Sequence, residues 1–248
     1  MSNIKCFIVD LDGTVYRGNT LVKNADRRII RMRQKGKVLF VTNNASLSRK
    51  AYVKKLKGFG IPVILDDILT SAYVSAVYIH TNYHNPRVFV IGNEGLIQEL
   101  KNQGIEVCHR KCNIVLVGLD KKFNYDKLKM ALKFIRAGAE FIATNEDNVL
   151  MKEKEVVPGA GAIVASLKIA ADKEPIIIGK PSDIMADFII TKAGVKPEEI
   201  LLIGDSIDCD IKMGKNFGMK TALVLTGLTS PEDLIKTDIK PDYVFDRL

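Results

Sequence analysis

Phe7-Ile8-Val9-Asp10-Leu11-Asp12-Gly13-Thr14 is the stretch on which the reading of this chain turns. An apolar run of strand length ends in two carboxylates two residues apart, and the strand period of two aims both to the same side. Gly13 then lets the backbone turn sharply. Open α/β sheets bind ligands beyond the carboxyl ends of their strands, which is where such a pair sits. Neighbouring carboxylates raise one another's pKa, so the spot favours a shared proton or a cation. With a hard divalent cation bound, Asp10 can stay ionised as ligand and nucleophile, while Asp12 carries the proton that a leaving group needs. The plainer alternative is a turn capped by Asp12 and Thr14.

Around this segment, short β-branched runs alternate with amphipathic helical stretches, the pattern of βαβ units with parallel strands. Lys5–Val9 and Val38–Val41 read as buried strands. Between them Ala25, Ile29 and Met32 recur at helical spacing, with Asn24 available as N-cap and Gly36 as terminator. A second helix is expected near Ser48–Lys57. Further strands are expected at Pro62–Leu65, Arg87–Ile91, Asn113–Val117, Glu140–Ala143, Pro175–Ile178, Ile200–Gly204 and Lys220–Leu225. Helices are expected at Glu94–Gln103, Tyr125–Ala137, Ala160–Ala170, Ser182–Ala193 and Ile207–Phe217. Ten or so strands exceed one ordinary open sheet, which argues for two α/β layers. The polar loop 81–86 and the segment 172–175 are the crossing points, so the middle third reads as an insertion.

Three more apolar strands end in polar residues of complementary chemistry. Val38–Val41 leads into Thr42-Asn43-Asn44, where a hydroxyl followed by loop amides can hold phosphate oxygens. Ile176–Ile178 leads into Gly179-Lys180, a compact cation just before a helix start. Ile200–Ile203 leads into Gly204-Asp205, with Asp208, Cys209 and Asp210 following. Asp205 can complete a hard-metal site with Asp10, while Asp210 can hold a metal-bound water or orient Lys180.

Of the 248 residues, 47% are hydrophobic and 27% charged, which excludes disorder as the main state. No apolar stretch approaches the roughly 18 to 20 residues of a membrane span, and Ile4–Val9 is too short for a signal peptide. The expectation is a cytoplasmic protein. Four irregularly spaced cysteines do not resemble a disulfide lattice, so reduced thiols are expected. The net charge of +8 is concentrated in residues 1–60, with 14 Lys+Arg against 3 Asp.

Together the strand-end residues resemble the haloacid dehalogenase-like superfamily of phosphohydrolases. Its first motif is similar to Asp10-Leu11-Asp12-Gly13-Thr14, its second to Thr42-Asn43, its third to Lys180 and its fourth to Gly204-Asp205 with Asp210. Val41–Ser46, Ile91–Leu96 and Val117–Asp120 resemble the NagD-like, p-nitrophenyl phosphatase-like branch, class IIA, and the likeness covers nearly the whole chain. The resemblance implies a Rossmann-like core with a parallel sheet, residues 1–80 and 178–248, carrying an inserted α/β cap domain, residues 81–177. The spacings agree. Asp10 and Thr42 lie 32 residues apart, room for a flap and one helix, whereas 138 residues separate Thr42 from Lys180.

The same likeness implies a Mg²⁺-dependent phosphatase acting on small phosphate monoesters of sugar phosphate, nucleotide or phosphoglycolate type. Asp10 would form an aspartyl-phosphate, and Asp12 would protonate the departing alkoxide and then activate water. Asp10, Asp205 and the carbonyl of Asp12 would hold Mg²⁺, with Asp210 behind them. Thr42 and Asn43 would bind phosphate oxygens and Lys180 would neutralise charge. The cap segment Asn145-Glu146-Asp147 would place Asn145 and Asp147 against the substrate, although the family often has proline where Glu146 stands.

A dehalogenase needs neither Asp12 nor the metal, so Asp12 argues against it. Transfer to another acceptor by a phosphotransferase or mutase stays open. A nucleic-acid-binding role for the basic N-terminal region has neither a recognised motif nor an aromatic platform to support it. Gly159-Ala160-Gly161 lacks the third glycine of a dinucleotide fingerprint, and neither His80 with His84 nor Cys108 with Cys112 has the further ligands of a zinc site. The expected partner is a small phosphorylated metabolite, with no nucleic acid and no membrane; pairing of two copies through the cap is left open.

Overall fold

The computed structural model describes residues 3–152 and 155–248. Six parallel strands form one sheet in the order Tyr243–Phe245, Lys220–Val224, Ile200–Gly204, Cys6–Asp10, Lys37–Thr42, Ile68–Thr70. Cys6–Asp10 is buried along its whole length, as a central parallel strand covered on both faces should be. Phe7, Val9 and Phe40 point to one apolar layer, and Ile8 and Leu39 to another. The register pairs Asp10 with Val41 and Val9 with Ile203, so Asp10, Thr42 and Asp205 reach the same sheet edge.

A second parallel sheet runs in the order Ile176–Ile177, Glu140–Ala143, Ile114–Val117, Arg87–Ile91, Glu106–Val107. Ile8, Leu39 and Leu202 of the first sheet share one buried cluster with Val88, Leu116 and Ile142 of the second. The chain leaves the second sheet at Ile177, and the Ile178 N–H donates to Ala143 O at 3.0 Å. Lys180 and Asn145 therefore emerge side by side.

Several elements differ from the sequence expectation. Pro62–Leu65 is no strand: the Asp67 carboxylate accepts from the Ile64 N–H at 3.0 Å and folds Leu65–Asp67 into a 3₁₀ turn, delaying the strand to Ile68–Thr70. Ser71–Asn82 is a helix that apolar periodicity does not announce, because Ser71 and Ser75 are buried along with Ala72 and Val74. Ile207–Ile211 opens as a π-type turn before the short helix Lys212–Asn216. Asn24 makes no side-chain cap, having taken a left-handed φ of 67°. Cys108 and Cys112 are joined, contrary to the expectation of reduced thiols. A left-handed Lys111 folds the chain back to bring their Cα atoms within 6.3 Å, whereas Cys6 and Cys209 are free. Among the described residues no helix is long and apolar enough to cross a membrane.

A buried ion pair fastens the second sheet's first helix, Glu94–Asn102, to the N-terminus of Arg49–Gly58. Glu99 accepts from the Arg49 N–H at 2.7 Å and from its Nε at 3.4 Å, and the guanidinium lies 3.4 Å from the centre of the Tyr73 ring. The carboxylate is 1% exposed and faces the positive end of a helix dipole. Truncating one partner leaves a buried charge unpaired. Glu99→Ala is expected to lower the unfolding free energy by about 3–5 kcal/mol, with Glu99→Gln costing less, as read from urea unfolding curves.

Candidate active site

Asp10 ends its strand, and the chain then closes a tight turn in which the Val15 and Tyr16 N–H groups both donate to Leu11 O. Gly13 occupies this turn with φ of +83°, and a Cβ there would overlap the Asp205 carboxylate. Gly227, from the loop after Lys220–Val224, approaches the same carboxylate closely enough that a side chain would collide with it. Backbone thus packs against Asp205 from two sides. The Leu228 N–H donates to Asp205 Oδ2 at 2.7 Å, and Thr14 Oγ1 stands 3.5 Å from Oδ1.

Lys180 is 4% exposed and spans the other two carboxylates. Its Nζ donates to Asp10 Oδ1 and to Asp210 Oδ1, each at 2.6 Å. Burial alone would depress the ammonium pKa, but the charges of Asp10 and Asp210 outweigh it and hold that pKa well above the ordinary value. Burial pushes Asp10 well up, with Lys180 opposing and Asp210 and Asp205 adding repulsion. Among the described residues Asp205 touches no ammonium. Burial, reinforced by the Asp210 charge, pushes its pKa up to about 7. Asp10, Asp205 and Asp210 offer oxygens that all lie within 4.8 Å of one another. Three hard, buried oxygen donors with a surplus of negative charge fit a divalent cation.

Asp12 lies beside this group. Burial raises its pKa, opposed by the Lys55 charge and by hydrogen bonds from Asn44 and from Tyr16, whose hydroxyl is 3.3 Å away. Thr42 lines the cavity, and its Oγ1 accepts from the Asn44 N–H at 3.1 Å.

Asn43 has a larger part than its place in the sequence suggested. Its side-chain oxygen accepts from the Lys180 N–H at 2.8 Å while its Nδ2 donates to Lys180 O at 2.9 Å and to Asp147 Oδ1 at 3.0 Å. Its own carbonyl accepts from Asn145 Nδ2 at 2.8 Å and from the Ser71 hydroxyl at 2.6 Å. Asn145 is 4% exposed and does not line the cavity, so it braces Asn43 where the sequence reading set it against substrate. Asp147 does line the cavity, and burial raises its pKa against the Asn43 hydrogen bond. The cavity has a volume of about 660 Å³ and takes walls from Glu146–Leu150 as well as from the ends of the first sheet.

Tyr16, Leu228 and Thr229 belong to the site without having been singled out. Tyr16 follows Asp12 by four residues and reaches back to it, while the Ile207 N–H donates to Thr229 Oγ1 at 3.2 Å. Backbone donors such as that of Leu228 leave no side-chain signal.

Residues 7–106 match the family described as haloacid dehalogenase-like hydrolases, and residues 177–248 match a second HAD-hydrolase-like description. The chain is 36% identical to phosphoglycolate phosphatase 2 of Arabidopsis thaliana, over 97% of this chain and 90% of that protein. It is 38% identical to the sugar-phosphatase AraL of Bacillus subtilis, over 97% and 89%. It superposes on a 4-nitrophenylphosphatase from Thermotoga maritima with a TM-score of 0.92 and 34% identity, covering 99% and 95% of the two chains.

Because Asn43 joins three separate segments, removing its amide should loosen them together. In Asn43→Ala, backbone amide exchange across Thr144–Asn148 and Gly179–Lys180 is expected to rise by about tenfold or more, measured by hydrogen–deuterium exchange mass spectrometry.

Proposed function

The chain belongs to the haloacid dehalogenase-like hydrolases and is a phosphoric monoester hydrolase, and we propose that it works through an aspartyl-phosphate on Asp10 with Mg²⁺ as its cation. We assign residues 1–80 and 178–248 to the catalytic core and residues 81–177 to a cap above it. The observation that carries this reading is the convergence of Asp10, Lys180, Asp205 and Asp210, from three separated strand ends, on one buried point.

Asp10 Oδ1 is fixed by Lys180, while Oδ2 accepts no hydrogen bond among the described residues and is open to phosphorus. Attack by that oxygen forms a P–O bond as the ester P–O bond breaks, and Asp12 delivers its proton to the departing alkoxide. Asp12, now ionised, takes a proton from water as the water oxygen attacks phosphorus. The bond to Asp10 then breaks and inorganic phosphate leaves. Thr42 Oγ1 and the Asn43 N–H hold equatorial oxygens of the phosphoryl group, and Lys180 supplies positive charge beside it. Asp10, Asp205 and the carbonyl of Asp12 would hold Mg²⁺, with Asp210 supporting them. The ion would supply charge neutralisation, without which a phosphate dianion meets about 4 kcal/mol of repulsion per pair of unit charges at 4 Å and an effective dielectric of 20.

Asp10→Asn retains the shape of the side chain and removes its nucleophilicity. It is expected to reduce kcat for p-nitrophenyl phosphate by about 10³-fold or more in a phosphate-release assay, with the far-ultraviolet circular dichroism unchanged.

The acidity of Asp205 gives metal binding a pH dependence, to which Asp10, its pKa also raised by burial, adds in the same direction. A cation needs the ionised carboxylate, and the metal-free pKa of about 7 means that protons compete with it below neutrality. Mg²⁺ affinity is therefore expected to fall by about tenfold from pH 8 to pH 6 in isothermal titration calorimetry, and EDTA should abolish turnover until Mg²⁺ is restored.

A further inference from the structure

Resting on the phosphatase reading, we propose that the site selects esters whose departing alcohol is uncharged, and that Asp147 enforces the choice. A polyol or sugar monophosphate is accepted, and the phosphate ester of a hydroxy acid is turned away.

Asp147 Oδ1 is occupied by two donors, Asn43 Nδ2 at 3.0 Å and Cys209 Sγ at 3.4 Å. Both donations favour an ionised acceptor. Its Oδ2 accepts no hydrogen bond among the described residues, and the side chain lines the cavity. A hydroxyl on the leaving group can donate to this oxygen, whereas a second carboxylate brought beside it can only repel it.

Among the described residues nothing nearby offsets that repulsion. Among the described side chains lining the cavity, the cations are Lys180 and Lys212. Lys180 is held between Asp10 and Asp210 at the phosphoryl end. Lys212 is exposed and lies four residues after Asp208, another carboxylate on the same wall, in the turn that leads into the helix Lys212–Asn216. No arginine lines the cavity among the described residues, so the planar fork that suits a carboxylate is missing at the leaving-group end. The half-buried setting of Asp147 lowers the local dielectric and sharpens the discrimination.

The test compares two esters with one three-carbon skeleton. Glycerol 1-phosphate releases glycerol, and 3-phosphoglycerate releases glycerate, with a carboxylate where glycerol has a hydroxymethyl group. With the full chain and Mg²⁺, kcat/KM for glycerol 1-phosphate is expected to exceed that for 3-phosphoglycerate by about thirtyfold, the difference residing mainly in KM. Asp147→Asn can keep the bond from Asn43 through its amide oxygen while removing the charge. It is expected to narrow the ratio by about tenfold, and Asp208→Asn, farther out and exposed, by about two- to threefold. A wild-type preference for 3-phosphoglycerate, or a ratio unmoved in Asp147→Asn, overturns the assignment. Turnover of p-nitrophenyl phosphate without this discrimination overturns the assignment alone, while failure to hydrolyse any of the three esters overturns the phosphatase reading along with it.

Discussion

A buried ammonium tolerates its loss of water only when carboxylates surround it, and Lys180 meets that condition with two bonds of 2.6 Å to Asp10 and Asp210. The pairing has consequences in both directions. It keeps Lys180 charged in the interior, and it fixes one oxygen of Asp10 while the other accepts no hydrogen bond among the described residues. It also leaves Asp205 without a paired counter-ion among the described residues. Three ionised carboxylates sharing one ammonium retain two negative charges, and burial raises the proton affinity of Asp10 as well as that of Asp205, the latter to about 7. The charge deficit at the site thus matches a divalent cation in sign and in size.

Holding that arrangement requires the return chain from the second sheet to arrive in register with the first. Asn43 does this by binding the Lys180 peptide group on both sides, N–H and carbonyl, much as a neighbouring strand would. The same amide reaches Asp147 on the cavity wall, and Asn145 supports the Asn43 carbonyl from behind. One residue at a strand end therefore couples the position of the phosphoryl-side cation to that of the wall facing the leaving group. The Arg49–Glu99 pair and the apolar cluster shared by both sheets make that coupling stiff.

Much of this was legible because parallel strands buried on both faces write themselves as apolar runs, and the residue after each run lands at the functional edge. Asp10, Thr42, Lys180 and Asp205 each follow such a run. Legibility failed where packing had no period. Ser71–Asn82 buries serines and alanines between two layers and shows no clean amphipathic stripe. Pro62–Leu65 looked like a strand because its 3₁₀ turn depends on one side-chain acceptor, Asp67. The Leu228 N–H on Asp205 and the Asn43 bridge come from loops, where the sequence gives residue types and withholds their partners. Asn145 drew notice for its chemistry, yet a neighbour's carbonyl uses that chemistry before a ligand can reach it.

In the proposed mechanism Asp10 and Asp12, two identical side chains two residues apart, take different work according to what touches them. Both are buried, and burial favours the proton on each. Of the two, Asp10 alone is bonded to an ammonium among the described residues, which stabilises its charged form in direct contact. On Asp12 burial is opposed by the charge of Lys55, by hydrogen bonds from an asparagine and from a tyrosine hydroxyl at 3.3 Å, and by the charge of Lys180, and it prevails over them as it does on Asp10. In the proposed reaction Asp12 would give a proton to the alkoxide that forms beside it and, once ionised, would take one from water. In that reaction the separation of roles rests on the ion pair that the first carboxylate makes and that the second lacks among the described residues, surroundings being what divides work between neighbouring acids.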